Sequence, residues 1–443
     1  MGVWAYGGMG VSHSHTPKLP HPHTLQIGAR MVKKETLPNG VRILTESVPY
    51  VQSVSVGIWM NSGARDEDEA NRGISHFIEH MLFKGTETRS ARQIADEFDF
   101  IGGQLNAFTE KEYTCYFAKV LSEHVPVALD VLADMLLHSM LDVQEIEVEK
   151  NVVLEEIKRH EDTPEDLVHD MFVQSVWGGH PLGNPVLGTS KAVSKLSRAD
   201  LLEFTRTRYT PDSIVVSAAG NLVHEQLVEQ ISSLFGDREG KKIAPVHETP
   251  SFSSLSSRSS KTTEQVHFCM GAPGFSQLDP DKYVLAIIDA TLGGGMSSRL
   301  FQEIRENRGL AYAIGSYSAS YREGGFFTVY GGTSMEHVDE VLELVRKEFA
   351  SVLKENITDD ELTRAKNQIR GAIVLSQESM SSRMIRMAKS ELYFGRLIAL
   401  DELIQAVLKV SHEDIGSVAS RVFGESVYPV VAVGPFKKRK VAQ

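Results

Sequence analysis

Two histidines four residues apart, with a glutamate just before the second, stand in the run GISHFIEHMLFKGTETRS. On a helix, His76, Glu79, His80 and Phe83 fall at i, i+3, i+4 and i+7, along one stripe. Ile74, Phe77, Ile78, Met81 and Leu82 form the apolar side that would anchor that helix. Imidazoles one turn apart can both reach a single Zn2+ at about 2.0–2.1 Å. A solvated helix face carrying His and Glu is also commonplace, so the motif needs a third ligand before it means metal.

That ligand has candidates in EVEKNVVLEEIKRHED. Glu149 and Glu156, seven apart, share one face of a second long helix. One carboxylate would complete a His2Glu set, and the other would support it from behind. Glu155 competes with Glu156 on spacing alone, though it points about one-third of a turn away.

The elements that must carry these groups can be read in order. VKKETLPNGVRILTE reads as a hairpin about the turn PNG, and VQSVSVGIWM continues with strand alternation. Helical patterns cover 72–101, GGQLNAFTEKEYTCYFAKV reads as a strand pair, and helices occupy 122–140 and 142–160. The same order returns in QVHFCMGAPG, KYVLAIIDATLGG, IGSYSASYREGGFFTVYGGT and another helical pair. Glu123-His124-Val125 matches Glu336-His337-Val338, and Lys150-Asn151 matches Lys366-Asn367, at offsets of 213 and 216. These offsets point to an internal duplication. The second half reads DATLG where the first reads HFIEH, and Ala372 where the first has Glu156, so only the first half carries metal ligands.

The expected fold class is therefore α+β: two related domains, each a mainly antiparallel sheet packed with helices. Residues 32–247 form the metal-binding domain, 248–264 a Ser-rich linker, and 265–443 the related domain without ligands. Residues 1–31, with His13, His15, His21 and His23 among Pro, Gly and Ser, are expected to be a disordered extension with at most weak metal affinity.

The 443 residues exceed what one core supports. The net charge of -12, with no long basic stripe before KKRK, argues against a nucleic-acid partner. No apolar run approaches the ~18–20 residues of a membrane span, and the N-terminus lacks the basic and apolar regions of a secretory signal. Two cysteines, Cys115 and Cys269, make no disulfide framework, and a cytoplasmic location is expected. LGGGMSSRL lacks the Lys-Ser/Thr ending of a P-loop, which removes nucleotide binding.

HxxEH is the inverzincin signature. The blocks GISHFIEHMLFKGTETRSA, GGQLNAFTEKEYTCYFAK and EKNVVLEEIKRHEDTPEDLVHD together resemble the pitrilysin-type zinc peptidases, more narrowly the mitochondrial-processing-peptidase-like branch found as single-chain bacterial proteins. The resemblance covers residues 32–435. It implies His76, His80 and Glu156 as ligands of one Zn2+, Glu79 as catalytic base and Glu149 as the supporting acid. It implies an Arg and Tyr seven apart from the second domain, which LFQEIRENRGLAYAIGSYS supplies as Arg305 and Tyr312, with Arg308 a competing choice. One chain carrying both sets implies an active homodimer.

The resemblance further implies peptide substrates that pair with the strand GGQLNAFT, with Asn106 and Ala107 as contacts. Phe83 would lie near the residue after the cut, or simply in the core. Asp166 and Asp170 would receive a basic residue upstream of it. Thr163 and Pro164 also read as a helix start, with Asp166 in the first turn. The expected activity is a zinc endopeptidase acting on extended or unfolded peptides. The alternative is a non-catalytic or partner-dependent subunit of the same fold.

Overall fold

The computed structural model describes residues 32–241, 248–425 and 427–437. The expected extension, 1–31, lies outside them. The first hairpin forms as read: β1 (Val32–Thr36) and β2 (Arg42–Ser47) pair antiparallel. Gly40 takes φ 103° at the turn, a left-handed value that favours glycine. With β3 (Ser53–Met60), β4 (Gln104–Thr109), β5 (Thr114–Leu121) and β6 (Ile214–Gly220) they make a sheet ordered β1-β2-β6-β3-β5-β4. The helices of this half are α1 (Ile74–Leu82), α2 (Ala91–Phe100), α3 (Val125–His138), α4 (Val143–Asp162), α5 (Pro164–Trp177), α6 (Ser190–Val193), α7 (Arg198–Arg208) and α8 (His224–Phe235).

The second half runs β7 (Ser257–Ser260), β8 (Val266–Gly274), α9 (Asp281–Leu292), a π-helical turn at Phe301–Asn307, β9 (Ala311–Ser320) and β10 (Gly325–Thr333). Then come α10 (Val338–Glu355), α11 (Asp359–Ser376), α12 (Met380–Phe394), α13 (Leu400–Leu408), α14 (His412–Phe423) and β11 (Val430–Gly434). Its sheet is ordered β7-β11-β8-β10-β9. Substituting β2, β6, β3, β5 and β4 for these five strands reproduces the first sheet's order. Even the parallel pair is kept, β2 with β6 and β7 with β11. The duplication read from two short sequence matches is thus carried by the whole topology, and the fold is α+β as expected.

The Ser-rich stretch is more than a linker. Ser257–Ser260 pairs with β11, whose residues are all buried. Without β7, the outer backbone groups of that strand would lose their partners.

Two helices cross between the halves. α5 belongs to the first half in sequence but packs on β8 and β11. Its Val168, Phe172, Val176 and Trp177 share a core with Cys269, Phe326, Val431 and Val433. α12 does the reverse, setting Met380, Met384, Met387 and Leu392 against Leu44, Trp59, Cys115 and Val215 of the first sheet. Ion pairs on two buried carboxylates fix its register: Glu46 with Arg383 and Arg386, and Glu391 with Lys34 and Arg42. Arg65 ties the halves again, pairing with Glu112 at the β4–β5 turn and, at 2.6 Å, with Glu323 at the β9–β10 turn. Among the described residues, no helix is long and apolar enough to cross a membrane.

Candidate metal centre

α1 is driven into place by its apolar side. Ile74, Phe77, Ile78 and Met81 are fully buried in the first half's core, each contributing about 1.5–3 kcal/mol. Its start is held by Glu67, whose Oε2 accepts from Gly73 N (2.7 Å) and Oε1 from Ser75 N (2.9 Å). These are two of the donors a helix N-terminus leaves unmade. α4 begins at Asp142, whose carboxylate accepts from Gln144 N and Glu145 N, and packs against α1.

Three side-chain atoms converge between these helices. His76 Nε2 lies 3.2 Å from His80 Nε2. Glu156 Oε2 lies 3.8 Å from the first and 3.6 Å from the second. Donors bonded tetrahedrally to one ion at about 2.0–2.2 Å stand about 3.3–3.6 Å apart. The triangle therefore fits Zn2+ in size and in its N, N, O chemistry. Glu155, the competitor on spacing, instead pairs with Lys158 at 2.7 Å in solvent. Among the described residues, His76, His80 and Glu156 are the group of His, Cys, Asp and Glu that could hold a metal.

The surroundings suit ligation. Burial, then the charge of His80, pushes the His76 pKa down to about 3, so its ring is neutral and keeps a lone pair at neutral pH. His80 Nδ1 lies 2.8 Å from Glu149 Oε1, and Lys84 Nζ lies 2.5 Å from Glu149 Oε2. Burial works against charge on His80, but the hydrogen bond and charge of Glu149, with the charges of Glu156 and Glu79, outweigh it, and its pKa stands above the usual value. Burial likewise works against the Glu149 carboxylate, and the hydrogen bonds of His80 and Lys84 overcome it and hold its pKa low.

Glu79 is not one of the converging donors. Its Oε2 accepts from Thr109 Oγ1 at 2.5 Å, and burial raises its pKa. Thr109, Lys84 and Glu67 were all missed in the sequence. Lys84 sits four residues after His80, a spacing that could have flagged it. Thr109 ends a strand expected to bind peptide, and nothing in the local pattern singles out Glu67.

The remaining expected residues spread outward. β4 is the edge of its sheet, carrying exposed Asn106 and buried Ala107. Asn106 Oδ1 accepts from Ala107 N at 2.8 Å. Phe83 is half-buried and lines a groove of about 680 Å3 with Ile94, Phe98, Leu105, Asn106 and Phe117. Asp166 is exposed in the first turn of α5, and Asp170 lies 3.8 Å from His160 Nε2. Thr163 occupies the N-cap position, but its hydroxyl donates to Arg159 O instead of capping α5.

Arg305 and Tyr312 are brought to each other, the guanidinium 5.0 Å from the ring centre, with Tyr312 exposed and Arg305 half-buried. Arg308 turns away to Glu303 at 2.7 Å, which leaves Arg305 as the partner of Tyr312. No hydrogen bond or ion pair joins either one to His76, Glu79, His80 or Glu156. In the second half, Asp289 stands where His76 stands in the first, and it accepts from Ser316 on β9.

The fold and site together define the class, and comparisons with known proteins agree. Residues 42–190 match the model of Insulinase (Peptidase family M16), and residues 195–369 that of the Peptidase M16 inactive domain. The chain is 44% identical over 405 residues to YmxG of Bacillus subtilis, named an uncharacterized zinc protease, covering 91% of this chain and 98% of the relative. It is 39% identical over 421 residues to the similarly named Rv2782c of Mycobacterium tuberculosis, covering 93% and 95%. Two crystal structures share the fold at a TM-score of 0.85: a peptidase M16 inactive domain from Pseudomonas fluorescens and a protease from Helicobacter pylori. They are 20% and 21% identical and cover 93% and 92% of this chain and 100% of each structure. The chain belongs to peptidase family M16.

Proposed function

We propose that the protein is a zinc endopeptidase that hydrolyses extended or unfolded peptides. The observation that carries this reading is the convergence of His76 Nε2, His80 Nε2 and Glu156 Oε2 on one point, beside the separately held carboxylate of Glu79. A bound Zn2+ would supply Lewis acidity, acidifying water and polarising the scissile carbonyl. Glu79 takes the proton from the attacking water and delivers it to the leaving nitrogen. Glu149 and Lys84 keep His80 oriented with Nε2 toward the other ligands.

An extended substrate adds to the open edge of β4, past Asn106 and Ala107. The apolar groove lined by Phe83 takes the side chain after the cut. Asp166 and Asp170 favour a basic residue upstream. Tyr312 donates to the developing oxyanion and Arg305 steadies the peptide. Because one chain carries all of these groups, the protein acts with copies of itself alone, as a cytoplasmic homodimer.

The test is cleavage of an internally quenched, Arg-containing peptide by the purified protein, before and after chelation and zinc return. Activity lost with the metal and restored by zinc supports the reading. Zinc-loaded, folded protein that cleaves nothing across a varied peptide panel points to the non-catalytic alternative.

A further inference from the structure

We infer that Thr109 is a positioning residue for Glu79, fixing one oxygen of the carboxylate so that the other is left to accept the proton. The inference rests on the reading of Glu79 as the base. The bond from Thr109 Oγ1 to Glu79 Oε2, 2.5 Å long, is the one hydrogen bond the Glu79 carboxylate makes among the described residues. The terminal torsion of a glutamate is broad and roughly two-fold, so an unheld carboxylate samples many orientations. A hydroxyl donating to an ionised oxygen forms one of the stronger hydrogen bonds available to it.

The geometry leaves the hydroxyl proton little choice. Its other acceptor within reach is Thr114 Oγ1 at 3.5 Å, and that hydroxyl donates onward to Ser62 O at 3.2 Å. Thr109 is itself fixed, because it ends β4 opposite Thr114 across the β5 ladder. Backbone bonds make that pairing, so the side-chain hydroxyl is free to serve the base. The placement also joins two functions. β4 is the edge strand proposed to receive substrate, and its last residue holds the group proposed to act on it.

The experiment uses the full, zinc-loaded chain with Thr109→Val and Thr109→Ser. Valine keeps the shape and suits a strand, while serine keeps the hydroxyl. We expect Thr109→Val to lower kcat about 10–100-fold, the range found when a supporting hydrogen bond is removed from such a site. KM, affinity for a non-cleavable peptide, zinc per chain and Tm should stay at wild-type values. Thr109→Ser should restore most of the lost kcat. A merely structural threonine would move Tm or KM and would not be rescued through the hydroxyl.

Wild-type kcat in Thr109→Val overturns the inference. So does a loss that appears in KM or zinc content, or one that serine fails to rescue. If the wild type does not cleave, or Glu79→Gln cleaves as well as wild type, the reading of Glu79 fails first. That pattern is distinguishable from failure at Thr109 alone.

Discussion

His80 Nδ1 lies 2.8 Å from Glu149 Oε1, an arrangement that turns the other ring nitrogen, Nε2, toward His76 and Glu156. In the neutral ring, a proton on Nδ1 facing Glu149 would leave the Nε2 lone pair turned toward His76 and Glu156. Replacing Glu149 by Gln removes the charge that Lys84 also faces, while keeping the size of the side chain. Zinc affinity of Glu149→Gln should fall about 10–100-fold, as measured by competition with a chromogenic chelator. An unchanged Kd would contradict the role given to Glu149.

Glu67 predicts a pH effect unrelated to metal. Burial pushes its carboxyl from the ordinary 4.5 up to about 8, against the lowering effect of the Gly73 and Ser75 amides. Between those values the folded chain keeps a proton that the unfolded chain has lost. This contribution to stability is full below 4.5, declines as pH rises toward 8, and is flat above. Urea melts of the metal-free protein should give wild type a downward slope across that window. Glu67→Gln, which cannot ionise, should remove this component. An equal slope in both proteins would refute it.

Gly271 lets α5 sit on the second sheet. A Cβ there would lie 2.1 Å from the Phe172 ring and 3.0 Å from Phe327 O. Gly271→Ala should cost about 1–3 kcal/mol by overpacking, although alanine normally improves on glycine in a strand. In a Phe172→Leu background the same change should cost less, because the two sites share the space. Additive effects in a double-mutant cycle of denaturant melts would rule out the contact.

Arg383 and Glu46 are both about 3% exposed where α12 meets the first sheet. Arg383→Met should destabilise the protein by about 3 kcal/mol, since it strands a buried carboxylate beside Arg386 alone. Converting Glu46→Leu in the same chain should recover part of the loss. Chemical denaturation of the single and double variants reads both effects.

Much of this centre was legible because its signals are local. The spacing of His76, Glu79 and His80 survives in the finished α1, and Glu149 and Glu156 do share a face of α4. Short matches such as Glu123-His124-Val125 with Glu336-His337-Val338 announced a topology that repeats strand for strand. What escaped the sequence depends on contacts between distant elements. Thr109 reaches Glu79 from across the sheet edge, and Glu67 caps a helix that starts seven residues later. The exchange of α5 and α12 between the halves left no periodicity to read, since an apolar helix face does not say which sheet it covers. The composition of the Ser-rich stretch suggests only a linker, yet β11 needs a neighbour and Ser257–Ser260 supplies it.

In the proposed mechanism, His76, His80 and Glu156 hold zinc while Glu79 does the proton transfer. Parallel assay of zinc content and peptide cleavage in Glu79→Gln tests it most directly. Glu79→Gln should hold one zinc per chain, as in wild type, with turnover lowered at least about 100-fold, within the range for removing a general base. Near wild-type cleavage by Glu79→Gln, or a wild-type chain that binds no zinc, would contradict it.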